Sequence, residues 1–157
     1  MIDTPGAELS RAAEEGGLAR EIAHCLTELA TLPSPTVSLL LGQGAGGAAL
    51  AVLPADRVLA AQHGWLAPLP LEGASAIVHR TPSRAADLAD AQRIRAKDLV
   101  KAKLVDMIIP EYDDVTAEPD ELCHRAAQAL RHELTQLVAM DPATRLEERR
   151  RRYRRLT

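Results

Sequence analysis

Four glycines fall within six residues in Gly42-Gln43-Gly44-Ala45-Gly46-Gly47. They separate an apolar run, Leu39-Leu40-Leu41, from the small-residue stretch Ala48-Ala49-Leu50-Ala51. Strand, glycine corner and helix start in that order let backbone approach a group closely and point free N–H donors at it. Such a corner serves two chemistries: it holds a phosphate, or it stabilises an oxyanion that forms during a reaction. A third reading is structural, since glycine and alanine let a helix sit tightly on a sheet.

The phosphate reading starts from Gly42-x-Gly44-x-x-Gly47, which matches the dinucleotide-binding fingerprint. Its context fails. Pro54 interrupts the following helix after about two turns, where the fingerprint needs an unbroken helix and an acidic residue about twenty positions on, at the end of the second strand. Asp56 precedes that strand and Glu72 lies well beyond it. No Lys-Ser or Lys-Thr follows, so a P-loop is excluded too. The oxyanion reading places backbone N–H groups of Gly46, Gly47 and Ala48 on a carbonyl oxygen that gains charge. One such donor is worth about 3–4 kcal/mol of barrier. It needs no nucleophile from the chain, which fits a sequence lacking Gly-x-Ser-x-Gly.

The elements that must position this corner follow from pattern and punctuation. Residues 1–7 read as the end of a strand and a turn. Residues 8–32 read as a helix with Ile22, Ala23, Leu26, Leu29 and Ala30 on one stripe, stopped by Pro33 and Pro35. Val37–Leu41 is predicted as a strand buried on both faces, followed by the corner and a helix to about Leu53. Arg57–Ala61 is a second buried strand, and 64–73 a turn-rich loop. Helices are predicted from Ala74 to His79, from about Arg84 to Gln92 with Ser83 as N-cap, and from Ala96 to Lys101. A strand over Val105–Ile109 and an acidic loop over 113–118 precede a long helix, Pro119 to about Met140. Its apolar face is Leu122, Ala126, Leu130, Leu134 and Leu137. Strands alternating with helices predict an α/β fold.

The 157 residues suffice for one domain with a core, and 46% hydrophobic with 26% charged residues describe a globular chain. Only Trp65, Tyr112 and Tyr153 are aromatic, so stacking cannot be the main means of holding a base or sugar. The net charge of −3 argues against a nucleic-acid binder. Cys25 and Cys123 form no Cys-x-x-Cys pair, which predicts no zinc site from this chain and a reduced, cytoplasmic setting. Asp3, Glu8, Glu14, Glu15 and Glu21 near the start do not fit a signal peptide, and no apolar run reaches membrane-spanning length.

With these residues in place, the sequence resembles a known family. Ile2-Asp3-Thr4-Pro5-Gly6-Ala7, Glu14-Glu15-Gly16, the corner with Ala48-Ala49-Leu50-Ala51, and Ala55-Asp56-Arg57-Val58 are similar to the carboxyltransferase of biotin-dependent acetyl-CoA carboxylases. The match is to the alpha subunit, or to the C-terminal half of fused acyl-CoA carboxylase carboxyltransferases. Leu71-Glu72-Gly73-Ala74-Ser75-Ala76-Ile77, Ala96-Lys97-Asp98-Leu99 and Leu104-Val105-Asp106-Met107-Ile108-Ile109-Pro110-Glu111 continue it in the family's order.

The resemblance implies a crotonase-like spiral of β-β-α units, here begun within one unit. It divides the chain into a partial C-type carboxyltransferase domain, residues 1–140, and a basic C-terminal helix or tail, 141–157. It implies transfer of a carboxyl group from carboxybiotin, borne on a separate carrier protein, to the α-carbon of an acyl-CoA. With acetyl-CoA the product is malonyl-CoA, for fatty acid synthesis. The partners implied are an N-type (beta-like) half holding the acyl-CoA, the biotin carboxyl carrier protein and biotin carboxylase, in an oligomer without nucleic acid or membrane. Carried onto this chain, the biotin-side oxyanion hole is Gly46, Gly47 and Ala48. Gly42 and Gly44 pass close to the biotin ring, and Trp65 with the Glu72-Gly73 turn walls the site. Pro70-Leu71-Glu72-Gly73 departs from the family's usual Ser-Pro-Glu-Gly. The rival readings are a crotonase-type hydratase or decarboxylase using Glu72, and a truncated non-catalytic chain.

Other chemistry-bearing residues have plainer readings. Glu14 and Glu15 read as solvated helix charges at a local break. His24 and Cys25 point about 100° apart on one helix, so they cannot face each other. His63 and His79 flank the loop expected to border the site, with His79-Arg80 a candidate for a carboxylate or phosphate. Cys123 and His124 read as structural. Arg149–Arg155, broken only by Tyr153, reads as a solvated helix end available to a partner's acidic face.

Overall fold

A computed structural model describes residues 1–112 and 119–154, apart from the side chain of Tyr153. The predicted acidic loop over 113–118 lies outside the described residues. Five parallel strands form one sheet: β1 (Ile2–Thr4), β2 (Val37–Ala45), β3 (Arg57–Ala61), β4 (Trp65–Ala67) and β5 (Met107–Ile109). The order is β1-β2-β3-β5, and β4 pairs with β2 beyond the point where β3 leaves off. Helices α1 (Arg11–Glu15), α2 (Leu18–Thr31), α3 (Gly46–Val52), α4 (Leu71–His79), α5 (Ala85–Gln92), α6 (Ala96–Lys101), α7 (Pro119–Ala139) and α8 (Pro142–Arg154) complete the described chain.

The two-faced burial expected of parallel strands is present and sorts by residue parity. Leu40, Val58 and Ala60 face one core with Ala49 of α3, Leu53 at its C-terminal cap, and Ala96 and Leu99 of α6. Leu39, Leu59 and Ile109 face the other, closed by Leu122, Ala126 and Leu130 of α7. Of the apolar face predicted for α7, Leu137 is fully buried, whereas Leu134 is 39% exposed.

Several element bounds differ from the sequence reading. The helix predicted over 8–32 is two helices, because Gly17 takes a left-handed φ of +87°. β2 runs on through the glycines to Ala45, since β1 and β4 supply hydrogen-bonding neighbours there. Trp65, predicted in a loop, opens β4. Helix α4 starts three residues early, at Leu71 after the N-cap Pro70. Thr81, not Ser83, caps the next segment: its side chain accepts from the Ser83 N–H, and a 3-10 turn over Pro82–Arg84 leads into α5. The last strand covers only Met107–Ile109, because the Asp106 carboxylate takes the Val58 N–H (2.8 Å) that a longer strand would pair.

The basic C-terminal segment is a helix end as expected, with Arg150, Arg151 and Arg154 exposed, but the solvated reading fails for Arg149 and Arg152. It is helix α8, and Arg145 and Arg149 on it are 4% and 2% exposed. Arg149 donates Nε to Asp56 Oδ1 (2.8 Å) and Nη2 to Asp56 Oδ2 (2.6 Å). It also donates to the carbonyls of Leu29, Leu32 and Ser34 at the end of α2. Arg145 donates to the carbonyls of Leu137 and Pro33. Arg152 reaches both oxygens of Asp106 at 2.8 Å. These arginines tie α8, the end of α2 and the start of β3 together rather than meeting solvent.

Helix α8 starts at an acidic cap. Thr144 donates its N–H and its hydroxyl to Asp141 Oδ2, each at 2.8 Å. The backbone bond, then the side-chain bond, holds the carboxyl below its ordinary value of 3.8. A depressed value means the cap stabilises the fold fully above the ordinary carboxylate pKa and loses that effect as pH falls through the lowered one. Asp141→Asn keeps the acceptor and removes the charge. Its melting temperature should lie below the parent's near neutral pH and converge with it as pH falls below about 4.

Candidate functional site

β2 and α3 meet at the glycine corner. Ala45 is extended (φ −119°, ψ 140°), and Gly46 turns the chain with a φ of +61° into the first turn of α3. An L side chain adopts that φ only under strain, so glycine is required at 46 by the turn itself. Gly46, Gly47 and Ala48 supply the first amides of α3, which have no acceptor within their own helix. Ala45 offers no capping side chain. The Pro68 carbonyl, in the segment after β4, lies 3.6 Å from where a Gly46 Cβ would stand. The corner is therefore framed by β2, α3 and the chain leaving β4.

The other glycines have partners within the chain. A Cβ on Gly47 would lie 2.9 Å from Ile22 Cδ1, so Gly47 lets α2 pack closely on α3. A Cβ on Gly44 would lie 2.9 Å from Leu40 Cδ1 and 3.0 Å from Leu66 Cδ1. At Gly42 a Cβ would lie 2.6 Å from Asp3 Oδ1, the atom that accepts the Gln43 N–H at 3.1 Å. This contact sits at an irregularity of the sheet: Ile2 pairs with Leu40 and Thr4 with Gly44, so two residues of β1 match four of β2. Asp3 satisfies an amide that the bulge would otherwise leave without a strand partner. Gly42→Ala and Asp3→Ala should each cost about 1 kcal/mol. Thermal unfolding of the pair and the double variant tests this: the double should be no worse than either single, because both remove the same bond.

β4 brings Trp65 beside the corner strand, pairing Gln43 with Trp65, Gly44 with Leu66 and Ala45 with Ala67. Trp65 packs with Leu71 against Ala67, Ala89 and Ile94. Glu72 and Gly73 lie exposed in the first turn of α4, and a Cβ on Gly73 would meet open space. Leu50 on α3 and Leu69 beyond Pro68 are each 45% exposed, large apolar side chains on the two elements that frame the corner. Leu50, Leu66 and Pro68 also border a cavity of about 1050 Å³ that runs toward α6.

The remaining sequence candidates make other contacts. His24 lies on exposed α2 between Glu21 and Glu28. The His63 N–H donates to Glu111 Oε2 at 2.7 Å, and His79 Nδ1 is 3.4 Å from Arg84 Nη1. Cys25 and Cys123 are free and exposed. Among the described residues no three His, Cys, Asp or Glu side chains group as metal ligands, and no helix is long and apolar enough to cross a membrane. Sequence reasoning gave Asp3, Ile22 and Pro68 no part in the corner, although Asp3 lies in a block that carries the resemblance and Ile22 on an apolar helix stripe; each acts there through a contact across the fold.

Comparison with known proteins shows the family and the fold. A family model described as acetyl co-enzyme A carboxylase carboxyltransferase-like matches residues 1–157. The chain is 59% identical over 156 residues to the "Probable biotin-dependent acyl-coenzyme A carboxylase beta3 subunit" of Mycobacterium tuberculosis, covering 99% of this chain and 32% of that protein. It is 36% identical over 157 residues to the acetyl-coenzyme A carboxylase carboxyl transferase subunit alpha of Thermus thermophilus, covering 99% of this chain and 50% of that one. The chain thus spans about a third to a half of these curated relatives. Among solved structures, the Pseudomonas malonate decarboxylase hetero-dimer superposes with a TM-score of 0.76 at 20% identity, over 99% of this chain and 62% of that chain. Carboxyltransferases and enoyl-CoA hydratases are among the other structural neighbours, so the fold is crotonase-like.

Proposed function

The chain belongs to the acetyl co-enzyme A carboxylase carboxyltransferase-like family, and from that premise we propose that it forms the biotin-side part of an acyl-CoA carboxyltransferase. The reaction moves a carboxyl group from carboxybiotin on a carrier protein to the α-carbon of acetyl-CoA, giving malonyl-CoA for fatty acid synthesis in the cytoplasm. The observation that carries the reading is the start of α3: a left-handed Gly46 presents the amides of Gly46, Gly47 and Ala48 after a residue with no capping side chain. Donors fixed in a helix start stabilise developing negative charge without reorganising during the reaction.

Bound carboxybiotin supplies the carboxyl group. The three amides hold the charge that grows on its ureido oxygen. Gly42 and Gly44 shape the strand that delivers the corner, and Trp65, Glu72 and Gly73 belong to the walls beside it. Exposed Leu50 and Leu69 support a site completed by a second surface, here an N-type half that holds the acyl-CoA. The biotin carboxyl carrier protein and biotin carboxylase are the further partners, within an oligomer.

The test is the reverse reaction, malonyl-CoA-dependent carboxylation of a free biotin derivative. It is run with this chain alone and mixed with an N-type half. Activity only in the mixture supports the proposal. Activity of the chain alone places an acyl-CoA site here and overturns the division of labour. A folded sample inactive in both settings overturns the catalytic reading.

A further inference from the structure

A second cleft, of about 400 Å³, lies between α8, the start of β3 and the turn that follows α6. Six cationic side chains and three carboxylates (Asp56, Asp106 and Glu148) line it. Most of that charge is paired. Arg152 holds Asp106, Arg151 meets Glu147 (2.9 Å) and Arg57 meets Glu133 (3.4 Å).

Glu148, exposed at the cleft, offsets one further cation, and two observations leave a small positive excess. Arg145 and Arg149 are both buried and share the single carboxylate of Asp56. Among the described residues Arg145 Nε has no hydrogen-bond partner, and it stands 3.7 Å from Asp56 Oδ2. Burying a guanidinium without its own counter-charge is costly. Lys103, at the lip, is exposed, has no carboxylate partner among the described residues, and takes a left-handed φ of +61°. That conformation favours glycine and closes the end of α6, as Arg80 and Arg93 close α4 and α5.

The geometry points to a binding site for a compact phosphate-bearing metabolite, with Lys103 as its outer contact and the Arg145–Arg149 pair as the positive field beneath. The deepest cations are recessed in the cleft rather than spread along a ridge. That shape suits a small anion and not the backbone of a duplex. This reading does not depend on the carboxyltransferase proposal.

The experiment is calorimetric titration of the full chain with inorganic pyrophosphate, at ionic strength matched with sodium chloride. One-site binding is expected, weakened about tenfold or more in Lys103→Ala, which removes a charge-assisted contact. Lys103→Gly separates binding from folding. It should keep or raise the melting temperature, because glycine suits the left-handed backbone, and still lose the affinity. Heats indistinguishable from the chloride control overturn the site. So does unchanged affinity in both Lys103 variants, or displacement of pyrophosphate by a short DNA duplex that binds more tightly.

Discussion

Asp56→Ala is expected to lower the stability of the fold by about 3–5 kcal/mol, more than any other single side-chain truncation considered for this chain. Asp56 is 4% exposed and collects five donors or cations: both ends of the Arg149 fork, the Thr36 N–H (2.8 Å) and hydroxyl (3.2 Å), and Arg145 at 3.7 Å. Truncation leaves two buried guanidiniums with backbone carbonyls but no counter-charge. It also leaves the Thr36 amide short of a partner. For a domain of this size the loss corresponds to a melting temperature lower by roughly 10 °C. Urea denaturation followed by far-UV circular dichroism measures it. A loss under about 1 kcal/mol would mean that water enters and solvates the cluster. The control is Arg11→Ala: the Arg11–Glu15 pair is 90% and 64% exposed, and pairs of that kind contribute little that can be measured.

That cluster marks where sequence reading stops. The α/β class was legible, because the apolar runs Val37–Leu41 and Arg57–Ala61 and the Pro and Gly punctuation are local signals, whereas the crotonase-like architecture came from the family resemblance. The strand–corner–helix order was legible for the same reason, while the glycine pattern by itself fitted anion binding, oxyanion stabilisation and tight packing alike. Arg149 was not. Its seven-residue basic run invites a solvent or partner reading, and only the spacing of Arg145, Arg149 and Arg152 along one face hinted at a buried role. Arg149 meets Asp56, 93 residues away, and Arg152 meets Asp106, 46 residues away. Periodicity carries no information about pairs that distant. What fills the space beside the individual glycines was not legible for a related reason. Space beside Gly42, Gly44 and Gly47 is taken by Asp3, Leu40 with Leu66, and Ile22, contacts set by sheet register and helix packing rather than by the motif.

This assignment of space decides how the proposed oxyanion hole must be tested. Gly47→Val is the obvious variant and the wrong one, since its side chain would enter the volume of Ile22 and displace α2 whatever the amide does. Ala48→Pro acts on the amide itself. It lies in the first turn of α3, where the N–H has no acceptor within the helix and proline's fixed φ is compatible with helical backbone. If the Ala48 N–H stabilises charge on the ureido oxygen, Ala48→Pro should reduce the rate of malonyl-CoA-dependent biotin carboxylation by about 10²–10³, or 3–4 kcal/mol of barrier. The assay uses the mixture with an N-type half, and circular dichroism and the melting temperature should stay near the parent's. Gly47→Val should lose activity together with stability, and Ile22→Ala in that background should recover the melting temperature by vacating the contested volume. Full activity in a folded Ala48→Pro protein would remove that amide from the mechanism. The corner would then be a packing device, with Gly47 explained by Ile22 and Gly46 by the turn.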